Sequence, residues 1–188
     1  MREVRHLRVF LASPSDVLPE RETVEQVISE LNLTLPDSMG IHLELVSSDT
    51  HLIPDLGPDP QAIVNRQLGD DYDIFVGILW SRIGTATPRA ESGTVEEFER
   101  AYCRWKDDPA SVSVMFYFKE AGIVPSEVDL DQLSRVQRFR KSLEETALIA
   151  TFLPVKELET HLRIHLTRQA LARVKLRPSE SQESSSRR

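Results

Sequence analysis

The chain is poor in the residues that most often disclose a function. Of its 188 residues only Cys103 is a cysteine, so a disulfide framework is excluded. No stretch approaches the ~18 apolar residues of a membrane span, and Met1-Arg2-Glu3-Val4-Arg5-His6 is not the apolar opening of a secretory signal. Basic residues are outnumbered, 23 against 30 acidic ones, giving a formal net charge of −7. Sequence-independent nucleic-acid binding rests on clustered Lys and Arg and is therefore not expected. The motifs G-x-x-x-x-G-K-[ST], G-x-G-x-x-G and G-x-S-x-G are all missing. Their absence argues against P-loop NTPases, dinucleotide-binding Rossmann oxidoreductases and α/β-hydrolases. These absences leave a soluble, cytoplasmic protein long enough to bury a full core without a disulfide or metal staple.

Apolar runs alternate with amphipathic segments along the chain, and no internal repeat is visible. Strands are expected at Leu7 to Ala12, Ile41 to Val46, Tyr72 to Trp80, Val112 to Phe118 and Leu148 to Leu153. Helices are expected at Val17 to Leu33, Gln61 to Leu68, Thr94 to Lys106, Glu127 to Glu145 and Lys156 to Val174. Between Ser47 and Pro60, the prolines and Gly57 predict a loop without regular structure. The run around Ile74-Phe75-Val76-Gly77-Ile78-Leu79 is apolar throughout, as in a strand buried on both faces of a parallel sheet. Five strand–helix alternations predict an α/β fold of flavodoxin-like order 2-1-3-4-5, with helices on both faces of a parallel sheet. Ligands of such sheets bind beyond the carboxyl ends of the strands, which selects Ser13 to Arg21, Ser47 to Gln61 and Trp80 to Glu97.

The last of these segments carries the most chemistry. Ser92-Gly93-Thr94-Val95-Glu96-Glu97-Phe98 opens a helix with two carboxylates near its start. With Val95, Phe98, Tyr102 and Trp105 on the buried stripe, Glu96 falls on the solvated face and Glu97 at the border. Glu97 is then open to two uses. It can cap the helix in a Thr94-x-x-Glu97 box, or it can reach into the crevice at the sheet edge. Near the first strand, Ser13 or Ser15 with Asp16 reads as a helix start whose backbone donors also suit an anion. Arg21 can reach that anion or pair with Glu25. His161 and His165 stand at helical spacing but lack a third metal ligand, and Cys103 reads as a packed small hydrophobe. A phosphoaspartate receiver is not expected, because Leu79-Trp80-Ser81 stands where it needs an acid.

Val9-Phe10-Leu11-Ala12-Ser13-Pro14-Ser15-Asp16-Val17, followed by Glu20-Arg21, resembles the start of a TIR-like domain of unknown function. That family is common in bacteria and also stands at the head of STAND-type NTPase proteins. The resemblance continues through Asp59-Pro60-Gln61-Ala62-Ile63-Val64-Asn65-Arg66-Gln67-Leu68 and Tyr72-Asp73-Ile74-Phe75-Val76-Gly77-Ile78-Leu79-Trp80-Ser81-Arg82-Ile83-Gly84-Thr85. It closes on Ser92 to Phe98. It implies a TIR-like domain over residues 1–174, with 175–188 a disordered polar tail.

The resemblance also implies an activity. Many TIR domains cleave or cyclise NAD⁺ with a glutamate on the helix after the third strand, and nucleoside 2-deoxyribosyltransferases place theirs in a Gly-Thr-x-x-Glu stretch. Gly93-Thr94-Val95-Glu96-Glu97 matches that stretch with Glu97 as the glutamate. The expected function is NAD⁺ cleavage in bacterial defence or stress signalling, with NAD⁺ as substrate and no cofactor or metal. Ser13 and Asp16 would border the ligand, Arg21 or Arg82 would neutralise phosphate, and Trp80 would stack on a base. Gly84 and Gly93 would admit backbone close to the ligand, beside Ser92 and Thr94. TIR-type self-association and an activating protein or small-molecule signal are expected as partners; nucleic acid and membrane are not. The alternatives are a non-catalytic interaction module and deoxyribosyl transfer between nucleosides. In the loop after the second strand, Ser47-Ser48-Asp49 stands where the family usually has a tryptophan and an acid. The Trp-Cys-x-x-Glu form of active TIR domains is replaced by Ser92 to Val95.

Overall fold

The computed structural model describes residues 4–176. Its sheet has five parallel strands in the order β2-β1-β3-β4-β5. These are β1 (Arg5–Ala12), β2 (Ile41–Ser47), β3 (Ile74–Leu79), β4 (Ser113–Lys119) and β5 (Ala150–Phe152). The principal helices are α1 (Leu18–Leu31), α4 (Pro60–Leu68), α5 (Gly93–Asp107), α6 (Leu130–Glu144) and α7 (Val155–Leu176). The expected α/β fold and strand order are those observed.

The period-2 alternation of a strand divides each central run between two cores. Leu7, Val9 and Leu11 of β1 and Ile74, Val76 and Ile78 of β3 face one layer, where α1 and α7 cover them. From α1 this layer receives Val24, Val27, Ile28 and Leu31, and from α7 it receives Leu158, Leu162, Leu166 and Ala170 at strict i, i+4 spacing. Phe10, Phe75, Leu79, Phe116 and Phe118 face the other layer, against Val95 and Ala101 of α5 and Val136 and Leu143 of α6. The few aromatics are concentrated there: the Phe75 and Phe116 rings lie 5.7 Å apart, and Phe98 meets Phe116 edge-on at 5.1 Å. Each such ring contributes roughly 1.5–3 kcal/mol through burial, which makes this face the anchor for α5.

Departures from expectation are local. Two short helices, α2 (Leu35–Met39) and α3 (Ser48–His51), had no sequence signal, and the second lies in the segment expected to be irregular. Gly40, in the left-handed region at φ 67, ends α2 with its N–H on Pro36 O. The first helix begins later than expected, because Ser15–Val17 form a separate 3-10 turn. β5 is only three residues long: Leu148 is exposed, and Leu153 N–H turns to Glu157 Oε2 at the start of α7. Cys103 is exposed on α5 rather than packed. No helix among the described residues is long and apolar enough to cross a membrane. Of the tail expected over 175–188, Lys175 and Leu176 belong to α7, and the rest lies outside the described residues.

Candidate functional site

A cavity of about 310 Å³ opens beyond the carboxyl ends of β1, β2 and β3. Ser13 to Ser15 wall it on one side and Ser48 on another, while Gly84 and Thr85 come from the loop after β3. Gln61 and Val64 of α4 face Gly93, Thr94 and Glu97 of α5 across it. It contains hydroxyls, an amide and one carboxylate, but no lysine or arginine.

Glu97 is half-buried in the wall of this cavity. Burial pushes its carboxyl up to about 7, against a hydrogen bond from Gln61 and the charges of Arg100 and Arg21, which pull it down. The competing use of Glu97 as a helix cap is absent. Ser92 is the N-cap, its Oγ accepting Val95 N–H at 3.1 Å, so α5 starts one residue before the expected Thr94. Glu97 lies beyond the capping position, with Gln61 Nε2 donating to its Oε1 at 3.3 Å. Gly93 makes that contact possible, since a Cβ there would come 2.5 Å from Gln61 Oε1. Gly84 adopts φ 105, a conformation that favours glycine, where the loop passes Ser92.

Glu96 corrects the sequence expectation. Far from being solvated, it is 5% exposed, because the loop after β3 folds back over the first turn of α5. Thr87 Oγ1, Arg89 Nε and Asn65 Nδ2 all donate to it, at 2.6, 2.7 and 2.6 Å. Burial raises its carboxyl, but these donors outweigh burial and hold it below the usual carboxylate range. Arg89 also forks onto Asp59 at 2.9 and 3.0 Å, and Asp59 caps α4 through Ala62 N–H. The neighbouring carboxylates are thus opposites: Glu96 is ionised and tied down, while Glu97 is under-solvated and held by one amide.

The match to a known family covers residues 8–167 and is to the domain of unknown function DUF4062. The chain belongs to that family. No curated protein matches its sequence. Among solved structures it is similar to the translation elongation factor SelB from Methanococcus maripaludis in its apo form, at 10% identity and a TM-score of 0.45. That likeness covers 89% of this chain and 35% of SelB. It is also similar to homoserine dehydrogenase from S. aureus at pH 6.5, at 14% identity and a TM-score of 0.36, covering 80% of this chain and 33% of that one. The chain spans about a third of either protein.

The DUF4062 domain does not gather all the residues singled out in its sequence. Ser13, Gly84, Gly93 and Thr94 line the Glu97 cavity. Ser92 is fully buried and occupied as the N-cap, which leaves no hydroxyl for a ligand. Arg21 lies behind Ser13, donating to its Oγ and its carbonyl at 2.7 Å each. Asp16 does not cap a helix. Its Oδ2 accepts from Ser81 N, Ser81 Oγ and Arg82 N at 3.0, 2.9 and 3.0 Å, tying the loop after β1 to the loop after β3. Trp80 and Arg82 line a separate groove on the far side of that tie.

Gln61, Asn65 and Arg89 were not singled out in the sequence, although they hold the two glutamates. A signal existed: Gln61 and Asn65 form an i, i+4 amide pair on a helix otherwise patterned with Ile63, Val64 and Leu68. Among the described residues no group of three or more metal-ligating side chains occurs. His165 instead meets the Tyr117 hydroxyl at 2.9 Å and stacks on His161.

Proposed function

We propose that this domain cleaves the N-glycosidic bond of NAD⁺, with Glu97 facing the ribose carbon from which nicotinamide departs. The observation that carries this reading is a half-buried glutamate with a raised carboxyl, free of any capping duty, at the position where the TIR-like sequence resemblance puts the catalytic glutamate. Departure of nicotinamide needs no general acid, because the pyridinium nitrogen takes the bonding pair and leaves neutral. What the step demands is stabilisation of the cationic, oxocarbenium-like ribose. A carboxylate with few water dipoles around it interacts more strongly with a charge that develops only in the transition state. Water, losing a proton, then completes hydrolysis; an internal nucleophile on the adenine would give a cyclic product. The surrounding Ser13 and Thr94 hydroxyls and the Gly93 backbone suit a sugar.

The test is nicotinamide release from NAD⁺ by the purified chain at high protein concentration. Glu97→Gln is expected to lower the rate at least a hundredfold, and an unchanged rate would remove Glu97 from the reaction. The active form is the carboxylate, so the wild-type rate should rise with pH through about 7 and then level off.

A second reading, a protein-interaction module in signalling, draws on the segment between α3 and α4. Ile53 and Leu56 are 69% and 91% exposed there, as docking residues would be. It predicts concentration-dependent association that persists in Glu97→Gln and is lost in Leu56→Asp. The two readings are compatible if association is what activates cleavage. Base exchange between two deoxynucleosides, without NAD⁺ cleavage, would instead point to a deoxyribosyltransferase.

A further inference from the structure

Next to the Glu97 cavity lies a larger groove of about 790 Å³. The two meet at consecutive residues: Ser15 lines one and Asp16 the other, and Arg82 of the groove is followed two residues later by Gly84 of the cavity. The wall between them is the tie from Asp16 to Ser81 and Arg82. Groove and cavity differ in chemistry. No cationic side chain lines the cavity, and Arg21 behind it is engaged with Ser13, so the cavity suits a nucleoside better than a phosphate. In the groove stands Arg82, exposed and with no side-chain hydrogen bond or ion pair among the described residues.

The groove also offers a fixed aromatic surface. Trp80 Nε1–H is held by Ala121 O at 3.0 Å, and the Lys119 ammonium sits 4.2 Å from the ring centre, so the indole is set before any ligand arrives. Ile123, Val128 and Leu130 add apolar surface to the groove lining. Asp16 Oδ1 is shut off from solvent and has no hydrogen-bond donor among the described residues, so Asp16 serves the wall and not the ligand. Of the other acids there, Asp129 is engaged with Gln132 N–H as the cap of α6, and Glu127 is exposed.

We propose that this groove is the subsite for the adenosine diphosphate half of a dinucleotide, with the diphosphate crossing the wall at Arg82 and the adenine seated against Trp80. The proposal rests on the NAD⁺ reading for the other half, which would occupy the Glu97 cavity. It makes Arg82 the residue that distinguishes a dinucleotide from a nucleoside. The dependence is geometric, since a charge-assisted contact at Arg82 is available only to a substrate long enough to cross the wall.

Two measurements on the full chain test it. By calorimetry, ADP is expected to bind the wild type and to bind Arg82→Ala at least tenfold more weakly. No ADP binding, or equal binding by both proteins, would overturn the subsite. In the second measurement, nicotinamide release is followed from NAD⁺ and from nicotinamide riboside. The ratio of kcat/KM for NAD⁺ to that for the riboside is expected to fall about tenfold in Arg82→Ala, and an unchanged ratio would also overturn the proposal. If neither substrate is cleaved while ADP binding still depends on Arg82, the subsite stands and the NAD⁺ reading falls.

Discussion

Gln61 and Glu97 are joined across the mouth of the cavity, Nε2 to Oε1 at 3.3 Å, by an amide that occupies the space a side chain at position 93 would need. One glycine therefore decides whether Gln61 of α4 can reach the Glu97 carboxylate of α5. In Gly93→Ala the new Cβ meets the far end of a flexible side chain, not backbone, so Gln61 swings aside at little cost to the fold. What is lost is the hydrogen bond that pulls the Glu97 carboxyl down. Glu97 in Gly93→Ala, and equally in Gln61→Leu, should titrate above the wild-type value of about 7 when followed by carboxyl ¹³C resonance. The thermal midpoint should change little. A Glu97 titration that stays where it is in both variants would show that Gln61 does not govern it.

The raised carboxyl makes Glu97 a cost to stability at working pH. Its ordinary value is 4.5 and its folded value about 7, so the unfolded chain gives up this proton first. The contribution is fully present below about 4.5 and is lost as pH rises through about 7. Glu97→Gln, which never ionises, should match the wild type near pH 4 and exceed it at pH 8 by about 2 kcal/mol in urea unfolding. A variant less stable than wild type at pH 8 would contradict the burial of Glu97. Loss of cleavage together with gain of stability in one substitution is the pattern expected where function opposes folding.

The frame of this site was legible in the sequence because it follows from periodicity. The apolar run of β3 required helices on both faces, and the parallel order then brought Ser13, Ser48, Gly84 and Glu97 to one sheet edge. Side-chain partners were harder to read, since a helical wheel describes one helix in water. Glu96 belongs on a solvated face by spacing, yet Thr87 and Arg89 arrive from a loop whose path no local rule gives. Ser92, Gly93 and Thr94 all suit a helix start, and only the backbone path chooses Ser92 as the cap and releases Glu97 from that duty. Trp80 and Arg82 were correctly placed at the sheet edge but on the other side of the Asp16 tie. A hydrogen bond between two loops leaves no trace in spacing.

Gln132 holds the loop that roofs the cavity. From α6 its Oε1 accepts Ile83 N–H and Gly84 N–H at 3.0 and 3.2 Å, and its Nε2 donates to Gly84 O at 3.3 Å. Gln132→Ala leaves these backbone groups without that partner, a loss of about 1–3 kcal/mol felt mainly in the loop. The amides of Ile83 and Gly84 should then exchange with solvent at least tenfold faster, while amides within β3 keep their protection. Uniform loss of protection would mean that Gln132 supports the whole fold and not the loop.

Glu20 is fully buried, and its Oε1 lies 2.8 Å from Lys119 Nζ. The same ammonium fixes the Trp80 ring, so this pair links the stability of the fold to the surface offered to a ligand. The two partners are not equivalent. Lys119 ends β4 and keeps 14% of its side chain exposed, so after Glu20→Gln its ammonium still has a route to water. Glu20 has no such route. Lys119→Met strands a carboxylate in the α1 face of the core, at a cost of about 3 kcal/mol, whereas Glu20→Gln should cost clearly less. The double variant Glu20→Met/Lys119→Met removes both charges and should recover most of the loss, because the desolvation penalty goes with the pair. Urea unfolding of the three variants at pH 7 checks this order. Equal losses in the two single variants would place the stability in the ion pair itself and not in the rescue of a trapped carboxylate.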